Sequence, residues 1–298
     1  MGVDQPASVL ISGASTGIGE ACALRLDSLG WRVYAGVRRA ADGSALQSKA
    51  SDRLKPVNLD VTNPEAITEV GQLLADELGE CGLDGLVNNA GIALAGPLEF
   101  LPVGDLRQQL EVNVIGQLAV TQMALPLLRK ARGRVIMMSS ISGLVTSPFL
   151  GPYSASKFAL EALSDALRVE LRPWGLRVIV IEPAGILTPI WEKSLAKADE
   201  RLARMPPTVH EYYGSAIELM RWRVQRSATI GLPVSEVSRA VVEALTDPHP
   251  RARYIVGRAA RWLIPLLQLA PVGLRDWLFA KNLESTKRNF LCPRRKSS

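Results

Sequence analysis

Tyr153 and Lys157 stand four residues apart in GPYSASKFAL, residues 151–160, just after a Gly-Pro break. Four residues make one helical turn, so in a helix that begins there the phenol and the ammonium rise from the same face. A phenol of pKa near ~10 is a poor proton donor and a poorer base at neutrality unless a nearby cation stabilises the phenolate. The pair therefore suits proton transfer. Tyr-x-x-x-Lys also arises by chance about once in a few hundred residues of ordinary composition, so its meaning depends on the rest of the chain.

A second candidate lies near the start. The apolar run SVLIS leads into SGASTGIGEACALRL, which carries Gly13, Gly17 and Gly19. Glycines at a strand-to-helix turn allow the backbone to approach a pyrophosphate, which then sits where the helix N-terminus favours negative charge. The spacing is G-x-x-x-G-x-G, not G-x-G-x-x-G. Taken alone, the turn can also be read as a device that packs strand against helix.

Elements of the right kind exist to hold both candidates. Runs rich in β-branched residues occur at 8–12, 31–37, 54–59, 83–88, 134–139, 176–182 and 253–257, and amphipathic stretches such as PEAITEVGQLLADEL and VGDLRQQLEVNVIGQLAVTQMALPLLRKA lie between them. Strand followed by helix, repeated, predicts an α/β fold in which a parallel sheet is covered on both faces. No composition break divides the series, so the chain reads as a single doubly wound (Rossmann) domain over 1–298. Two regions depart from the rhythm: an insertion at about 186–230, too long for a simple connection, and a C-terminal extension at about 258–298 with two short helices.

Composition narrows the class. The 298 residues are 47% hydrophobic, enough for a substantial core. Cys22, Cys81 and Cys292 lack paired spacing, and His210 and His249 are the only histidines. A disulfide scaffold, a metal site and a Ser-His-Asp hydrolase are all disfavoured. The N-terminus reads without a secretory signal, and the longest apolar tract, 263–274, is proline-broken and short of the ~20 residues of a bilayer span. The expectation is a cytoplasmic protein. The net charge of +6 gathers partly in KRNFLCPRRKSS, at the end of the chain. A solvated terminus is the first reading of that tail, and peripheral contact with an anionic membrane is the second. Nucleic acid, with little aromatic interleaving to support it, is set aside.

The motifs in order resemble the short-chain dehydrogenase/reductase family from about Ser8 to Glu182. The glycine spacing matches, as do Asn88 to Gly91 in LVNNAGIALAG, Asn113 in LEVNVIGQL, a serine in RVIMMSSISG, and Tyr153 with Lys157. The serine-to-tyrosine spacing selects Ser140, thirteen residues before Tyr153, over Ser139 or Ser142. One departure is Ala184, which separates Pro183 from Gly185. The resemblance implies hydride transfer between a nicotinamide cofactor and a carbonyl or alcohol carbon. Tyr153 would be the proton donor or acceptor and Ser140 would hold the substrate oxygen. Lys157 would lower the tyrosine pKa and grip the nicotinamide ribose, and Asn113 would anchor a water. It also implies cofactor contacts at Gly13, Ser15, Thr16, Gly17, Ile18 and Gly19 for the phosphates and ribose, and at Asp60 and Val61 for adenine. Asn88, Ala90 and Gly91 would lie behind the adenosine ribose, with Pro183, Gly185, Ile186 and Thr188 toward the carboxamide.

The second strand ends in Arg38 and Arg39, where an NAD-selective site usually places a carboxylate. Guanidinium groups there suit a 2′-phosphate, so the cofactor expected is NADP(H), with Arg38 the principal contact. The insertion sits where the family builds a substrate lid. Trp191, Met205, Phe149 and Leu150, with Ser140 and Tyr153, are expected to line an apolar pocket. Length and tail look most like the retinol and hydroxysteroid dehydrogenase branch, which implies a steroid, retinoid or long-chain lipid substrate. Reduction of small polar carbonyls is the alternative, and a cofactor-binding sensor or scaffold without turnover is a third reading. The resemblance also implies a homo-oligomer paired through the helices of Asn113 and Tyr153. The C-terminal helices are expected to pack over the substrate site or, less favoured, to rest on a membrane.

Overall fold

The apolar runs become the strands β1 (Ser8–Ile11), β2 (Arg32–Val37), β3 (Leu54–Asn58), β4 (Gly85–Asn88), β5 (Arg134–Met138), β6 (Arg177–Pro183) and β7 (Arg253–Val256). A computed structural model describes residues 6–188, 199–200, 202 and 205–291. The strands form one sheet in the order β3-β2-β1-β4-β5-β6-β7, with every pairing parallel. The order reverses between β1 and β4, which opens a crevice at the carboxyl ends of those two strands.

The helices are α1 (Gly17–Ser28), α2 (Ala40–Gln47), α3 (Pro64–Leu78), α4 (Val103–Leu110), α5 (Gly116–Ala131), α6 (Gly151–Glu170), α7 (Thr208–Ile230), α8 (Val234–Thr246), α9 (Arg258–Leu269) and α10 (Val272–Leu291). Alternate residues of each strand feed two separate cores. Val9, Ile11, Ile136, Met138, Ile179 and Ile181 pack with α1 and α8, and Leu10, Leu86, Val135, Met137, Val178 and Val180 pack with α3, α5 and α6. Both faces are thus buried, which is why the strands read as continuous apolar runs rather than as alternation. Each fully buried aliphatic side chain contributes about 1.5–3 kcal/mol, so the sheet is the rigid part on which a site can be built.

Three features differ from the sequence reading. The long helix expected over 103–131 is interrupted by a π-helical turn at Glu111–Ile115, centred on Asn113. The insertion is closed at its base, where Ile186 bridges Leu232 and Leu187 N–H donates to Leu232 O at 2.9 Å, so both ends of the lid leave the body together. The packing expected of α9 holds for Ile264, which is buried, and in part for Leu267, which is half-buried; Trp262, Leu263, Leu266 and Leu269 are exposed. On α6, the helix through which the resemblance implies subunit contact, Phe158 and Val169 are exposed.

Candidate active site

The glycine turn is built for close approach. Gly13 and Gly17 have φ of +65° and +63°, in the left-handed region where glycine carries no Cβ penalty. A Cβ on Gly19 would lie 2.2 Å from Gly13 O and 2.5 Å from Asn89 Nδ2, and one on Gly13 would lie 2.8 Å from Ala90 Cα. The loop is therefore pressed against the end of β4. Asn89 holds it there, donating from Nδ2 to Ser12 O and Gly13 O at 3.0 Å each. Ser12 Oγ in turn accepts the N–H groups of Asn89 and Ala90.

The α1 N-terminus is arranged differently from that of α3. Asn63 caps α3 by accepting the Ala66 N–H at 2.9 Å, whereas Thr16, at the N-cap of α1, makes no side-chain cap bond. The first turn of α1, with Gly17, Ile18 and Gly19, thus offers N–H groups and a positive dipole end to an anion, with Ser15 and Thr16 beside it. This arrangement suits a dinucleotide pyrophosphate, and the close packing behind it leaves no room for a Cβ at Gly13 or Gly19.

The other cofactor candidates line the same crevice to different degrees. Asp60 accepts the Thr62 N–H and hydroxyl through Oδ1, which leaves Oδ2 available. Val61 is buried against Gly116. Asn88 is buried, and its amide donates to Thr121 Oγ1 at 2.7 Å, so the side chain braces β4 against α5. Ala184 N–H pairs with Val256 O, and its methyl fits against Gly257, which accounts for the small residue between Pro183 and Gly185. Ile186 is buried and Thr188 half-buried at the root of the lid.

At the end of β2, Arg39 and Asp42 form a two-point ion pair, Nε to Oδ2 at 2.8 Å and Nη2 to Oδ1 at 2.7 Å. Arg39 is thus engaged on α2. Arg38 is exposed and makes no hydrogen bond or ion pair among the described residues.

The sheet and α6 bring the proton-transfer residues together. Ser140 follows β5 and caps a short 3₁₀ turn, where its Oγ accepts the Ser142 N–H at 3.1 Å and reaches Pro183 O at 3.5 Å. Tyr153 and Lys157 lie in the first two turns of α6, both buried. Burial pushes the Tyr153 phenol up to about 12, with a hydrogen bond from Ser140 acting against the rise. Burial pulls Lys157 down to about 8, opposed by the Glu161 carboxylate. Lys157 Nζ donates to Met138 O at 2.7 Å and lies 5.7 Å from the Tyr153 ring centre. Burial is the largest influence on the phenol, and the Lys157 ammonium is placed near the ring to act against it.

Asn113 is held in the fold by its side chain: Oδ1 accepts the Ile92 N–H, and Nδ2 donates to Ile92 O and Ser156 Oγ. Gln109 and Gln117 act alongside it, the first on Leu94 N–H and Ile92 O, the second on Ala90 O. These three amides staple the 90–94 loop across the crevice, with Gly91 between them. Their spacing of four residues in the sequence, polar groups on a helix face that should be apolar, is the signal that could have identified them.

The substrate side is aromatic. Tyr213 of α7 meets Phe100 and Phe149 edge to face, with ring centres 5.9 and 6.2 Å apart, and donates its hydroxyl to Glu99 Oε2 at 2.7 Å. Phe149 has φ of +66°, and its carbonyl accepts the Gly96 N–H at 2.8 Å. Leu150 and Met205 are half-buried, and Trp191 lies outside the described residues. Sequence reasoning finds Phe149 but not Phe100, because nothing local distinguishes a ring that faces the lid from one that fills the core.

The family model described as short chain dehydrogenase matches residues 7–199. The chain belongs to that family. Mouse (Mus musculus) retinol dehydrogenase 5 is 38% identical over 94% of this chain and 91% of its own. Human (Homo sapiens) 17-beta-hydroxysteroid dehydrogenase type 6 is 35% identical over 92% and 88%, and an NADPH-dependent 3-dehydrocapnine reductase of Ornithobacterium rhinotracheale is 35% identical over 92% and 96%. Among solved structures, a Burkholderia cenocepacia short chain dehydrogenase in complex with NADP superposes with a TM-score of 0.70, 26% identical over 93% of this chain and 97% of that one. A Burkholderia phymatum relative in complex with NAD, 22% identical over 89% and 94%, shares the fold with a TM-score of 0.72. These findings place the chain near the retinol and hydroxysteroid branch, as an oxidoreductase acting on CH–OH or C=O groups.

This short-chain dehydrogenase carries a charge cluster behind Lys157. Arg253 of β7 bonds Glu161 and Asp165 of α6 and Glu182 of β6. Glu161 and Glu182 are buried, and one guanidinium cannot neutralise both, so burial, with Glu161 as neighbour, raises Glu182 to about 7. Glu161 is one turn beyond Lys157 on α6, and Gly143 gives it room, since a Cβ there would meet Glu161 Cγ at 3.0 Å. Its charge supports the ammonium form of Lys157. Glu161→Gln removes that support, so Lys157 loses its proton at lower pH, and the alkaline limb of the kcat/KM profile is expected to move acidward. A profile unchanged in position, whatever its height, would show that Glu161 serves packing alone.

Proposed function

We propose that the protein is an NADP(H)-dependent oxidoreductase that interconverts an apolar ketone or aldehyde with its alcohol, on a substrate of steroid, retinoid or long-chain lipid type. The observation that carries the reaction is the buried set of Ser140, Tyr153 and Lys157 at the carboxyl end of β5 and the start of α6, beside the glycine cradle. A dinucleotide held at that cradle by its pyrophosphate would supply or accept the hydride through its nicotinamide ring. Ser140 positions the substrate oxygen and Tyr153 exchanges its proton. With its pKa held at about 12 the phenol stands protonated at neutral pH, the state that reduction requires. The ammonium of Lys157 is available to the nicotinamide ribose and to the phenolate that forms when the proton leaves. The aromatic contacts of Phe100, Phe149 and Tyr213 support an apolar substrate, since they put three rings between the lid and the loops beside Ser140.

NADP(H) is favoured by Arg38. It is exposed and unpaired among the described residues at the end of β2, where no carboxylate would repel a 2′-phosphate; Asp42 is tied to Arg39. The name of the O. rhinotracheale relative and the NADP complex of the B. cenocepacia structure point the same way. A lost hydrogen bond to a charged group costs about 1.5–3 kcal/mol. Arg38→Ala is therefore expected to raise the KM for NADP(H) roughly tenfold to a hundredfold and leave that for NAD(H) nearly unchanged. Equal catalytic efficiency with the two cofactors in the unaltered enzyme would refute the assignment. A panel of ketones and alcohols with each cofactor, followed at the reduced-nicotinamide absorbance band, tests the rest. Turnover of short polar ketones with no gain from apolar bulk would overturn the substrate reading.

A further inference from the structure

Trp262, Leu266 and Leu269 recur on α9 at the spacing of one helix face, the pattern by which a surface helix normally meets its core. Here the stripe is outside: Trp262 is 80%, Leu266 65% and Leu269 84% exposed, while Ile264 points inward. Across Pro271 the exposed apolar surface continues on α10 with Val272 and Trp277. Single exposed apolar residues are ordinary, but a run of this kind along two successive helices marks a surface that has a partner.

The charges around it indicate which partner. Between 258 and 281 the sequence carries Arg258, Arg261, Arg275 and Lys281 against one carboxylate, Asp276. Lys281 Nζ lies 4.6 Å from the Trp277 ring centre, and Arg261 is anchored by Nε to Ile255 O at 2.9 Å, so cations flank the stripe at set places. A second copy of the same face would bring like charges together in an isologous contact. Tryptophan with leucine, bordered by arginine and lysine, suits the boundary between acyl chains and anionic headgroups. No helix among the described residues is long and apolar enough to cross a membrane.

We propose that α9 and α10 dock this protein on an anionic lipid surface, with the tryptophan and leucine stripe seated at the acyl boundary and the flanking cations at the headgroups. α10 packs against α7, the lid helix that carries Tyr213, so the docked face adjoins the entrance proposed for an apolar substrate. That consequence rests on the proposed function; the lipid contact does not.

The test is co-sedimentation of the full chain with phosphatidylcholine vesicles, with and without phosphatidylglycerol, alongside tryptophan fluorescence. Binding to the anionic vesicles with a blue shift, weakened by salt and weak on phosphatidylcholine alone, is expected. The double variant Leu266→Glu/Leu269→Glu alters exposed side chains only, so its circular dichroism should match the parent while its vesicle affinity falls roughly tenfold or more. Absence of binding by the parent chain, or undiminished binding by the variant, would overturn the proposal; the second result would assign lipid binding to charge elsewhere. A parent dimer in light scattering that the variant converts to monomer would give the face to a second copy and overturn it too. Failure of every lipid-like substrate in the turnover panel would leave the vesicle result standing, so the two readings fail separately.

Discussion

Tyr153→Phe is expected to lower kcat by roughly 10²–10⁴-fold, the contribution of a positioned general acid, while cofactor affinity stays within about twofold. The substitution keeps the ring that fills the buried site and removes only the hydroxyl. Ser140 Oγ retains Pro183 O and the Ser142 N–H as partners, so the loss leaves little unsatisfied and should cost only about 1 kcal/mol of stability. Single-turnover measurement at saturating cofactor separates chemistry from binding. Retention of more than a few per cent of activity at neutral pH would mean that the proton comes from elsewhere. Lys157→Ala makes a useful contrast, because it removes a cation from the site as well as the bond to Met138 O, and should harm both binding and turnover.

The second large effect is expected at Gly19. An alanine Cβ would stand 2.2 Å from Gly13 O and 2.5 Å from Asn89 Nδ2, and the first contact is with backbone, which no rotamer change can relieve. The glycine turn must then move off the end of β4 and break the hold of Asn89 on Gly13 O. Overpacking of this kind costs roughly 1–3 kcal/mol, which in a chain of this size lowers Tm by about 3–10 °C. The displaced loop no longer presents the first turn of α1, so the dissociation constant for the dinucleotide should rise on the order of a hundredfold, equivalent to about 2.7 kcal/mol. Calorimetry of cofactor binding beside a thermal melt checks both parts. Normal binding by Gly19→Ala would show that the phosphates do not rest on this turn.

Much of this was legible in the one-dimensional pattern. The strand positions fell within one or two residues of those observed, because β-branched runs bounded by turn residues leave a doubly wound sheet few other arrangements. The choice of Ser140 over its neighbours followed from spacing, and the structure places its side chain with Tyr153 while Ser139 turns toward Glu161. The glycines at positions 13 and 17 likewise marked a tight strand-to-helix turn, and there the backbone enters the left-handed region.

Other properties exist only once distant segments meet. Arg38 and Arg39 are neighbours in sequence, and the preference for Arg38 gains its physical reason only in the fold, which wraps Arg39 onto Asp42 at the start of α2. Asn113, Gln109 and Gln117 become a staple only when the 90–94 loop crosses their helices, since a buried amide takes its role from the backbone groups it finds. Burial shifts the titration of Tyr153 and Lys157, and no spacing encodes how deeply the fold buries them. The outward face of α9 is the sharpest case. A stripe of Trp262, Leu266 and Leu269 has the same periodicity whether it meets the body or a partner, and only the burial of Ile264 settles which side of the helix the protein's own core takes.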